Sequence, residues 1–474
     1  MWALLAMSLM GAEAGSLDYI QVSAPFGGPG SSDATAAHWN PAGLAMATGT
    51  RFHLEGAPTF ASVNYDRNDP HFGGMDKYRL KAVVPFVGVA SDFGVKGLGT
   101  GLSMAVPFAR GVGAGPDGAG PGQYNLIDGQ IQAIYVTAAA AYRIKDVVSV
   151  GAGVVYVHST WSGNLYTEAI TSLVDTFAEM GQDPGYDDSM IEDTDYGARL
   201  EFDNLSDNKV TFNVGIQAQV HDRVKLSLAY THGTRVANRG DAKVYMGCPP
   251  QEDVLGRFGS ELFGLCDTEL EAAGRVSYNL PGRLNGSIVV RPMDKLRMEL
   301  MGGWVNWQRY QEFELEISEV GTRNELQNEE AAGLLNQVRE QARDSHDAFW
   351  VGLDVKARPH RFLGVGGRVM FDGSAVPDES VSPNNYDTNT LILGAFTSFH
   401  PTPRWTIVLG YSEYIGMRRE VTNSRFGVTI DPENRKDPRY FYPQTNGVYT
   451  GGVHRVSLAL RGHFGRKHWR EDAE

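Results

Sequence analysis

The chain has 474 residues, a length that suits two or three globular domains or a single large barrel. No stretch approaches the about 20 consecutive apolar residues of a membrane-spanning helix, which excludes a helical membrane protein. The net charge of −14 argues against binding to nucleic acid, because nucleic-acid-binding proteins usually carry a basic surface. Glycine is abundant, with 56 residues, and there are 20 Tyr and 21 Phe. This combination favours extended strands joined by tight bends.

The N-terminus has features of an export signal. Residues 1–10 form an apolar run too short to cross a bilayer, and Ala12 and Ala14 follow at the spacing that signal peptidase accepts. No Lys or Arg precedes this run, so either the true start lies upstream or the basic region of the signal is atypical. A buried N-terminal helix is the alternative interpretation. We expect residues 1–14 to be a cleaved signal peptide, which directs the chain to the periplasm, the outer membrane or the medium.

From Arg51 onward, apolar residues recur at every second position. In residues 210–220, Val210 and Phe212 point to one face, whereas Thr211 and Asn213 point to the other. Such alternation is typical of strands in a soluble sandwich and also of strands in a transmembrane barrel with a wet lumen. The pattern recurs in residues 224–230, 349–355, 363–371, 405–411 and 456–464.

The lengths of the connections favour the barrel. Short turns at one end and long loops at the other are typical of outer-membrane barrels. The sequence therefore predicts an all-β, transmembrane, antiparallel β-barrel of about 14 strands, with both chain ends at one side. The short turns are predicted at residues 221–223, 292–295, 357–361 and 401–404, and the long polar loops at residues 162–208, 235–271, 318–346, 372–386 and 416–450.

Two of the long loops contain apolar residues at helical spacing. These helical pieces either pack on the rest of their own loops or form an apolar surface that captures a hydrophobic ligand. The first stripe consists of Ile170, Leu173, Val174 and Phe177. The second, within residues 324–344, consists of Leu326, Leu334, Leu335 and Val338.

Cys248 and Cys266 are the two cysteines of the chain. Two cysteines are too few for a disulfide scaffold or a zinc cluster. They form either a single disulfide, which an oxidising compartment allows, or two unpaired thiols.

The sequence lacks the motifs of common enzymes. It contains no P-loop, no HExxH and no GxSxG. Four histidines stand apart from one another rather than at metal-ligand spacing, so we interpret them as polar residues of the wall. We therefore expect neither an enzyme nor a bound metal or cofactor. These histidines are His38, His158, His346 and His454.

Residues 31–45 resemble the N-terminal hatch of the FadL family of outer-membrane channels for hydrophobic compounds. The match centres on Asn40, Pro41 and Ala42, which reproduce the family's Asn-Pro-Ala motif, and small and acidic residues including Asp33 precede it. The resemblance implies that these three residues belong to a plug that gates the lumen. An amide side chain in a plug can satisfy buried backbone groups, and a proline there needs no hydrogen-bond acceptor.

Two further segments extend the resemblance over most of the chain. Residues 278–315 are similar to a pair of family strands, and residues 371–383 are similar to a family loop with the pattern Asp-x-Ser-x-Val-Pro. The resemblance implies four parts: a signal peptide at residues 1–14, a hatch at 15–50, a barrel at 51–464 and a charged tail at 465–474.

The resemblance also implies a mechanism in the bacterial outer membrane. Loop helices collect a hydrophobic ligand, an interior pocket receives it, and a kink in the third strand releases it sideways into the lipid. The implied ligand is a long-chain fatty acid, with neutral hydrocarbons as the alternative; a general porin or a surface-interaction barrel without a ligand is the alternative of another class. The implied partners are outer-membrane lipid, lipopolysaccharide and the barrel-assembly machinery.

The third strand is predicted at about residues 99–111, and it contains Pro107 and Phe108. Proline cannot donate to a strand ladder, so Pro107 belongs at a break or a bulge. We interpret Pro107 and Phe108 as the kink of the lateral opening. The alternatives are that Pro107 merely begins the following Gly-rich loop, or that Pro85 in the preceding strand makes the break.

Two features depart from the family pattern. Family barrels usually end on an aromatic residue that the assembly machinery reads, whereas here a charged tail of ten residues follows Phe464. Either the machinery reads Phe464 itself, or the tail is a periplasmic extension. No motif matches the basic residues that hold a fatty-acid carboxylate in well-known members. The substrate therefore stays open between fatty acids and neutral hydrocarbons.

Overall fold

The computed structural model describes residues 22–23, 27–69, 73–113, 120–167, 194–247, 269–321, 337–425 and 444–465. Among these residues, none of the helices is long and apolar enough to cross a membrane. One short α-helix, α1 (Ala36–Trp39), is followed by a 3₁₀ helix at Pro41–Met46. The strands are β1 (Thr50–Arg67), β2 (Gly74–Ser91), β3 (Leu98–Gly113), β4 (Asp128–Ile144), β5 (Val148–Thr167), β6 (Ala198–His221), β7 (Val224–Thr231), β8 (Thr234–Met246), β9 (Glu269–Leu280), β10 (Arg283–Met293), β11 (Leu296–Val305), β12 (Glu312–Gly321), β13 (Gln337–Ala342), β14 (Ala348–His360), β15 (Leu363–Asp372), β16 (Thr390–Thr402), β17 (Trp405–Gly416), β18 (Arg419–Val421) and β19 (Gly447–Phe464).

The strands form one antiparallel sheet that closes into a barrel. Closure occurs because β1 pairs with β2 along one edge and with β19 along the other. The hairpins β8–β9 and β12–β13 extend the wall at the long-loop end, so within the barrel β7 pairs with β10 and β11 with β14. Counted this way, 14 strands complete the circuit, which confirms the predicted barrel.

The two faces of the wall carry the residues that the alternation predicts. Val210 is 68% exposed and Phe212 is 45% exposed on the outer face of β6. Asn213, only 2% exposed, faces the lumen from the same strand. An outer apolar face and a polar inner face fit hydrocarbon outside and a polar lumen within.

The predicted short turns are confirmed, but the strands extend further at the opposite end than the sequence indicates. β5 continues through Thr167 and β6 begins at Ala198, so both ends of the predicted loop at residues 162–208 are strand. These polar stretches become strands because the neighbouring strand supplies partners for their backbone groups, as in the pairing of Tyr166 with Arg199.

The helical interpretation of residues 324–344 is wrong at its C-terminal end. Val338 lies in strand β13, where it is paired with Glu316 of β12. The unpaired edge of β12 needs hydrogen-bond partners, and this need outweighs the helical spacing of the apolar residues. Leu326, Leu334 and Leu335 lie outside the described residues.

The last strand ends on an aromatic residue, Phe464. Its ring centroid lies 5.6 Å from that of Trp405 and 6.5 Å from that of Phe52, on the two strands that flank β19. This aromatic group lies at the short-turn end, where rings are favoured at the membrane interface. Recognition of Phe464 by the assembly machinery stays a prediction.

Candidate functional site

Residues 27–47, the plug, lie inside the barrel. Both short helices of the plug are buried, and Trp39 is only 1% exposed. Helices this short leave most of their backbone groups without helical partners, so side chains of the wall replace them. The wall donates to plug carbonyl oxygens from Asn213 (to Ala37, 2.9 Å), Gln217 (to Pro29, 3.0 Å), Ser149 (to Ala42, 2.7 Å), Arg51 (to Leu44, 3.0 Å) and Arg368 (to Gly27, 2.7 Å).

Asn40 connects the plug to two strands of the wall. Its Oδ1 accepts a hydrogen bond from the Ala42 backbone N–H at 3.1 Å and so caps the 3₁₀ helix that begins at Pro41. Its Nδ2 lies 3.2 Å from the carbonyl oxygen of Ile216 and 3.4 Å from that of Leu228. Asn40 is fully buried, and its hydrogen bonds hold the plug against the wall.

Glycines of the wall allow the plug backbone to approach closely. A Cβ atom at Gly151 would lie 2.5 Å from the backbone nitrogen of Ala42, and one at Gly99 would lie 2.2 Å from the carbonyl carbon of Leu44. At Gly215 the Cβ would lie 2.0 Å from Asn40 Oδ1. Part of the high glycine content therefore serves the fit between wall and plug.

Charged lumen residues near the plug form buried ion pairs. Arg368 contacts Asp354 at 2.5 Å, and Arg297 contacts Glu299 at 2.7 Å. Glu299 Oε1 also accepts a hydrogen bond from the Gly30 backbone N–H at 2.8 Å. Pairing offsets the cost of burying these charges, and their remaining hydrogen bonds position the plug.

His38 belongs to the plug rather than to the wall, contrary to the sequence interpretation. Its Nε2 lies 3.0 Å from Nη2 of Arg283, which donates to the neutral ring. Burial, and secondarily the charge of Arg283, hold the pKa of His38 well below its usual range. The docked plug therefore requires neutral His38.

We expect acidification to weaken docking of the plug. A released plug would protonate His38 below about pH 6.5, whereas the docked plug keeps the ring neutral, so docking loses up to about 1.4 kcal/mol per pH unit below that value. The ion conductance of purified barrels in planar bilayers should rise between pH 6.5 and 4.5, and His38→Gln should remove most of that rise. An equal pH response in the variant would contradict this role of His38.

The window above pH 4.5 separates His38 from Asp33. Burial alone would raise the pKa of the Asp33 carboxyl, but the charges of Arg461 and His53 and hydrogen bonds from Thr35 hold it below its usual value. Asp33 thus adds docking stability that is lost only as the pH falls below its ordinary value of about 3.9.

The wall has a gap between β2 and β3. The two strands pair only from Phe86 with Ala105 to Ser91 with Thr100, whereas residues 74–85 of β2 have no ladder with β3. Pro85 and Pro107 lie just beyond the last pair, where neither can donate a backbone hydrogen bond. The side chains of Ala82 and Val106, both buried, occupy this region.

β3 contains a bulge at the edge of this gap. Its pairing with β4 shifts between Ala105 and Phe108, so Val106 and Pro107 oppose a single residue of β4. Beyond the gap, Asp76 of β2 accepts a hydrogen bond from the Gly122 backbone N–H at 2.7 Å. The gap therefore ends at the strand ladder on the side of the short turns and at this contact on the side of the long loops.

Above the plug, aromatic side chains line a chamber that the gap adjoins. Phe108 is buried, and its ring centroid lies 6.0 Å from that of Tyr135 and 6.2 Å from that of Trp307. Further up, the ring of Phe313 lies 5.9 Å from that of Trp161. The cavity there, of about 80 Å³, is smaller than the about 150 Å³ cavity that binds benzene, so a molecule of that size would fit only if these side chains moved apart.

Arg343 is the basic residue that lines this cavity. It is 2% exposed, and its guanidinium carbon lies 5.0 Å from the ring centroid of Phe313. Its nitrogens donate to Asn384 Oδ1 and Gln341 Oε1, each at 2.9 Å. An arginine among rings provides one charged attachment point in a cavity that is otherwise lined by apolar and amide side chains.

The predicted site residues are distributed over separate parts of the molecule. Asn40, Pro41 and Ala42 lie in the plug, and Pro107 and Phe108 lie at the gap. The sequence interpretation missed Arg343, because it assigned that segment to a helical loop. Outside the described residues lie Ile170, Leu173, Val174 and Phe177, together with Cys248 and Cys266.

The chain matches known proteins over nearly its whole length. A solved structure of a FadL homologue from Pseudomonas aeruginosa has a TM-score of 0.73 at 16% identity, covering 97% of this chain and 100% of that chain. The toluene transporter TodX of P. putida has a TM-score of 0.63 at 12% identity, with 97% and 100% covered. The Ralstonia pickettii toluene transporter TbuX has a TM-score of 0.58 at 14% identity, with 91% and 94% covered.

At these identities, the likeness to solved structures establishes the fold alone. No curated protein sequence matches the chain. The family described as "Outer membrane protein transport protein (OMPP1/FadL/TodX)" matches residues 24–450, which is most of the sequence. The chain therefore belongs to this family of outer-membrane transport proteins for hydrophobic compounds.

Proposed function

We propose that this protein takes up long-chain fatty acids passively across the outer membrane. The ligand enters the aromatic chamber from the long-loop end, its carboxylate binds Arg343, and it leaves sideways through the gap between β2 and β3. The plug keeps the lumen closed to water-soluble compounds. Lateral release places an apolar chain directly in hydrocarbon, where transfer from water is favourable.

The observation that carries this proposal is the buried guanidinium of Arg343 beside the ring of Phe313. A carboxylate gains more from a positive charge in such a water-poor chamber than on an exposed surface. The amide oxygens of Asn384 and Gln341 are neutral acceptors, so a carboxylate can displace them with a gain in attraction. This arrangement favours an acid with an apolar tail.

Neutral hydrocarbons are the second candidate. Apolar residues including Trp161, Leu165 and Leu315 line most of the same cavity, and these contacts do not require a charged head group. A ligand without a carboxylate would use the chamber without using Arg343.

The test is uptake of labelled oleate by a Gram-negative host that lacks its own fatty-acid channel and expresses this chain. Arg343→Met should reduce oleate uptake about 10- to 100-fold, because hydrogen bonds to a charged group contribute about 1.5–3 kcal/mol. Arg343→Lys should retain part of the uptake. Arg309→Met, at an exposed arginine nearby, is the matched control and should behave as the wild type.

Parallel uptake of labelled toluene distinguishes the two candidates. Toluene uptake without oleate uptake would overturn the fatty-acid proposal in favour of neutral hydrocarbons. A folded, surface-displayed barrel that passes ions but neither compound would overturn both in favour of a porin.

A further inference from the structure

Three basic residues form a row on the outer face of β2. Lys77, Arg79 and Lys81 are all exposed. They occupy alternate positions, so they share one face and follow one another at about 7 Å. We call these three residues the basic stripe.

The basic stripe begins where the apolar band of the outer wall ends. On the same face of β2, Val87 and Val89 are 42% and 43% exposed towards the short-turn end. Lys81 is paired with Phe60 of β1, which is 46% exposed. Beyond Lys81 the outward residues of β1 are Ser62, Asn64 and Asp66, and those of β2 are basic until Met75, so the basic stripe lies at the level of the lipid head groups at the long-loop end.

The surroundings of the basic stripe do not neutralise it. Arg79 is paired with Ser62 and Lys77 with Asn64, and Asp66 is the nearest acidic residue on that face of β1. No ion pair among the residues that the structure describes includes a member of the basic stripe.

Three basic residues of the wall extension formed by β8, β9 and β12 are, in contrast, paired with acids. On β8, β9 and β12 the outward ion pairs are Arg235–Glu314, Lys243–Glu269 (2.5 Å) and Arg275–Glu316 (2.9 Å). The contrast within a chain of net charge −14 indicates that the basic stripe attracts an external anion.

We propose that the basic stripe binds the phosphate groups of the phosphorylated glycolipid in the outer leaflet, lipid A. Cations at the head-group level of a membrane attract anionic lipids, and Arg in particular donates two parallel hydrogen bonds to a phosphate. Residues 74–85 of β2, which carry the basic stripe, also form one side of the wall gap. The bound glycolipid therefore stands beside the gap. This inference does not depend on which ligand the chamber takes.

The test has two readouts. Mass spectrometry measures the lipid A that remains bound to the full chain after purification in mild detergent, and vesicles that contain lipid A measure the binding affinity. The triple variant Lys77→Gln/Arg79→Gln/Lys81→Gln should bind lipid A in vesicles about 100-fold more weakly than the wild type. Each cation near the membrane surface raises the affinity about fivefold. The matched control is Arg235→Gln/Lys243→Gln/Arg275→Gln, which changes the net charge equally and should bind as the wild type. Heat-dependent gel mobility confirms that both variants fold.

Vesicles with lipid A that lacks its phosphates provide the second comparison. Wild-type protein should bind them as weakly as the stripe variant binds phosphorylated lipid A. Equal binding to both lipids, or equal loss in both triple variants, would overturn the proposal. A preference for anionic phospholipid over lipid A would overturn the assignment of the partner.

Discussion

Replacing both prolines at the wall gap, Pro85→Val and Pro107→Val together, should reduce oleate uptake about 10- to 100-fold while leaving the barrel folded. The substitutions give the facing edges of β2 and β3 the N–H groups that they lack, so the strand ladder can extend past Phe86 and Ala105. Two or more added hydrogen bonds stabilise the closed wall by about 1–3 kcal/mol, which lowers the population of the open wall by about 5- to 150-fold.

Uptake of labelled oleate by whole cells measures this effect, and the ligand should remain bound in the chamber of the purified variant. Pro292→Val, at an exposed proline near the end of β10, is the matched control. Pro107→Val alone should have an intermediate effect. Uptake at the wild-type rate in the double variant would remove the gap from the route.

A larger side chain at Gly151, where the wall strand β5 meets the plug, should open the pore. A valine at Gly151 would place its Cβ 2.5 Å from the Ala42 backbone nitrogen and from the Pro41 carbonyl carbon. Because these are backbone atoms of a segment held by several hydrogen bonds, they cannot move aside without breaking those bonds. We expect Gly151→Val to displace the plug and raise the single-channel conductance several-fold.

Planar-bilayer recording measures the conductance, and cleavage of the plug by added protease reports its release. Gly56→Ala is the control, because the nearest atom to its Cβ would be a side-chain atom of Val83 at 3.9 Å. If Gly151→Val conducts like the wild type and its plug resists protease, the plug does not depend on this close contact.

Several properties of the barrel could be read from residue patterns alone. Alternation in residues 210–220 identified which side chains face lipid. In a strand, successive side chains point to opposite faces, and the hydrophobic set marks the face in contact with lipid. The plug was predicted from the family resemblance that the Asn-Pro-Ala motif carries. Pro107 indicated a break in β3, because proline lacks a donor whatever surrounds it. The number of strands followed from the sorting of short and long connections.

Other properties depended on residues that are distant in sequence. The space for the plug arises because Gly99, Gly151 and Gly215 come from three strands and meet one segment, and no local pattern distinguishes them from glycines in turns. The location of His38 in the plug, with its ring beside Arg283 of β10, likewise depends on the packing of segments that are distant in sequence.

The sequence by itself determined the barrel, its membrane-facing surface and its family resemblance, because these depend on short-range periodicity and on single motifs. Only the tertiary structure decided that Val338 lies in a strand and that nearby Arg343 reaches the aromatic chamber. The first outcome follows from backbone pairing with β12, whose unpaired hydrogen-bonding groups outweigh the local helical pattern. The second follows from the adjoining hydrogen bond that the Arg343 backbone N–H donates to the Gln311 carbonyl oxygen.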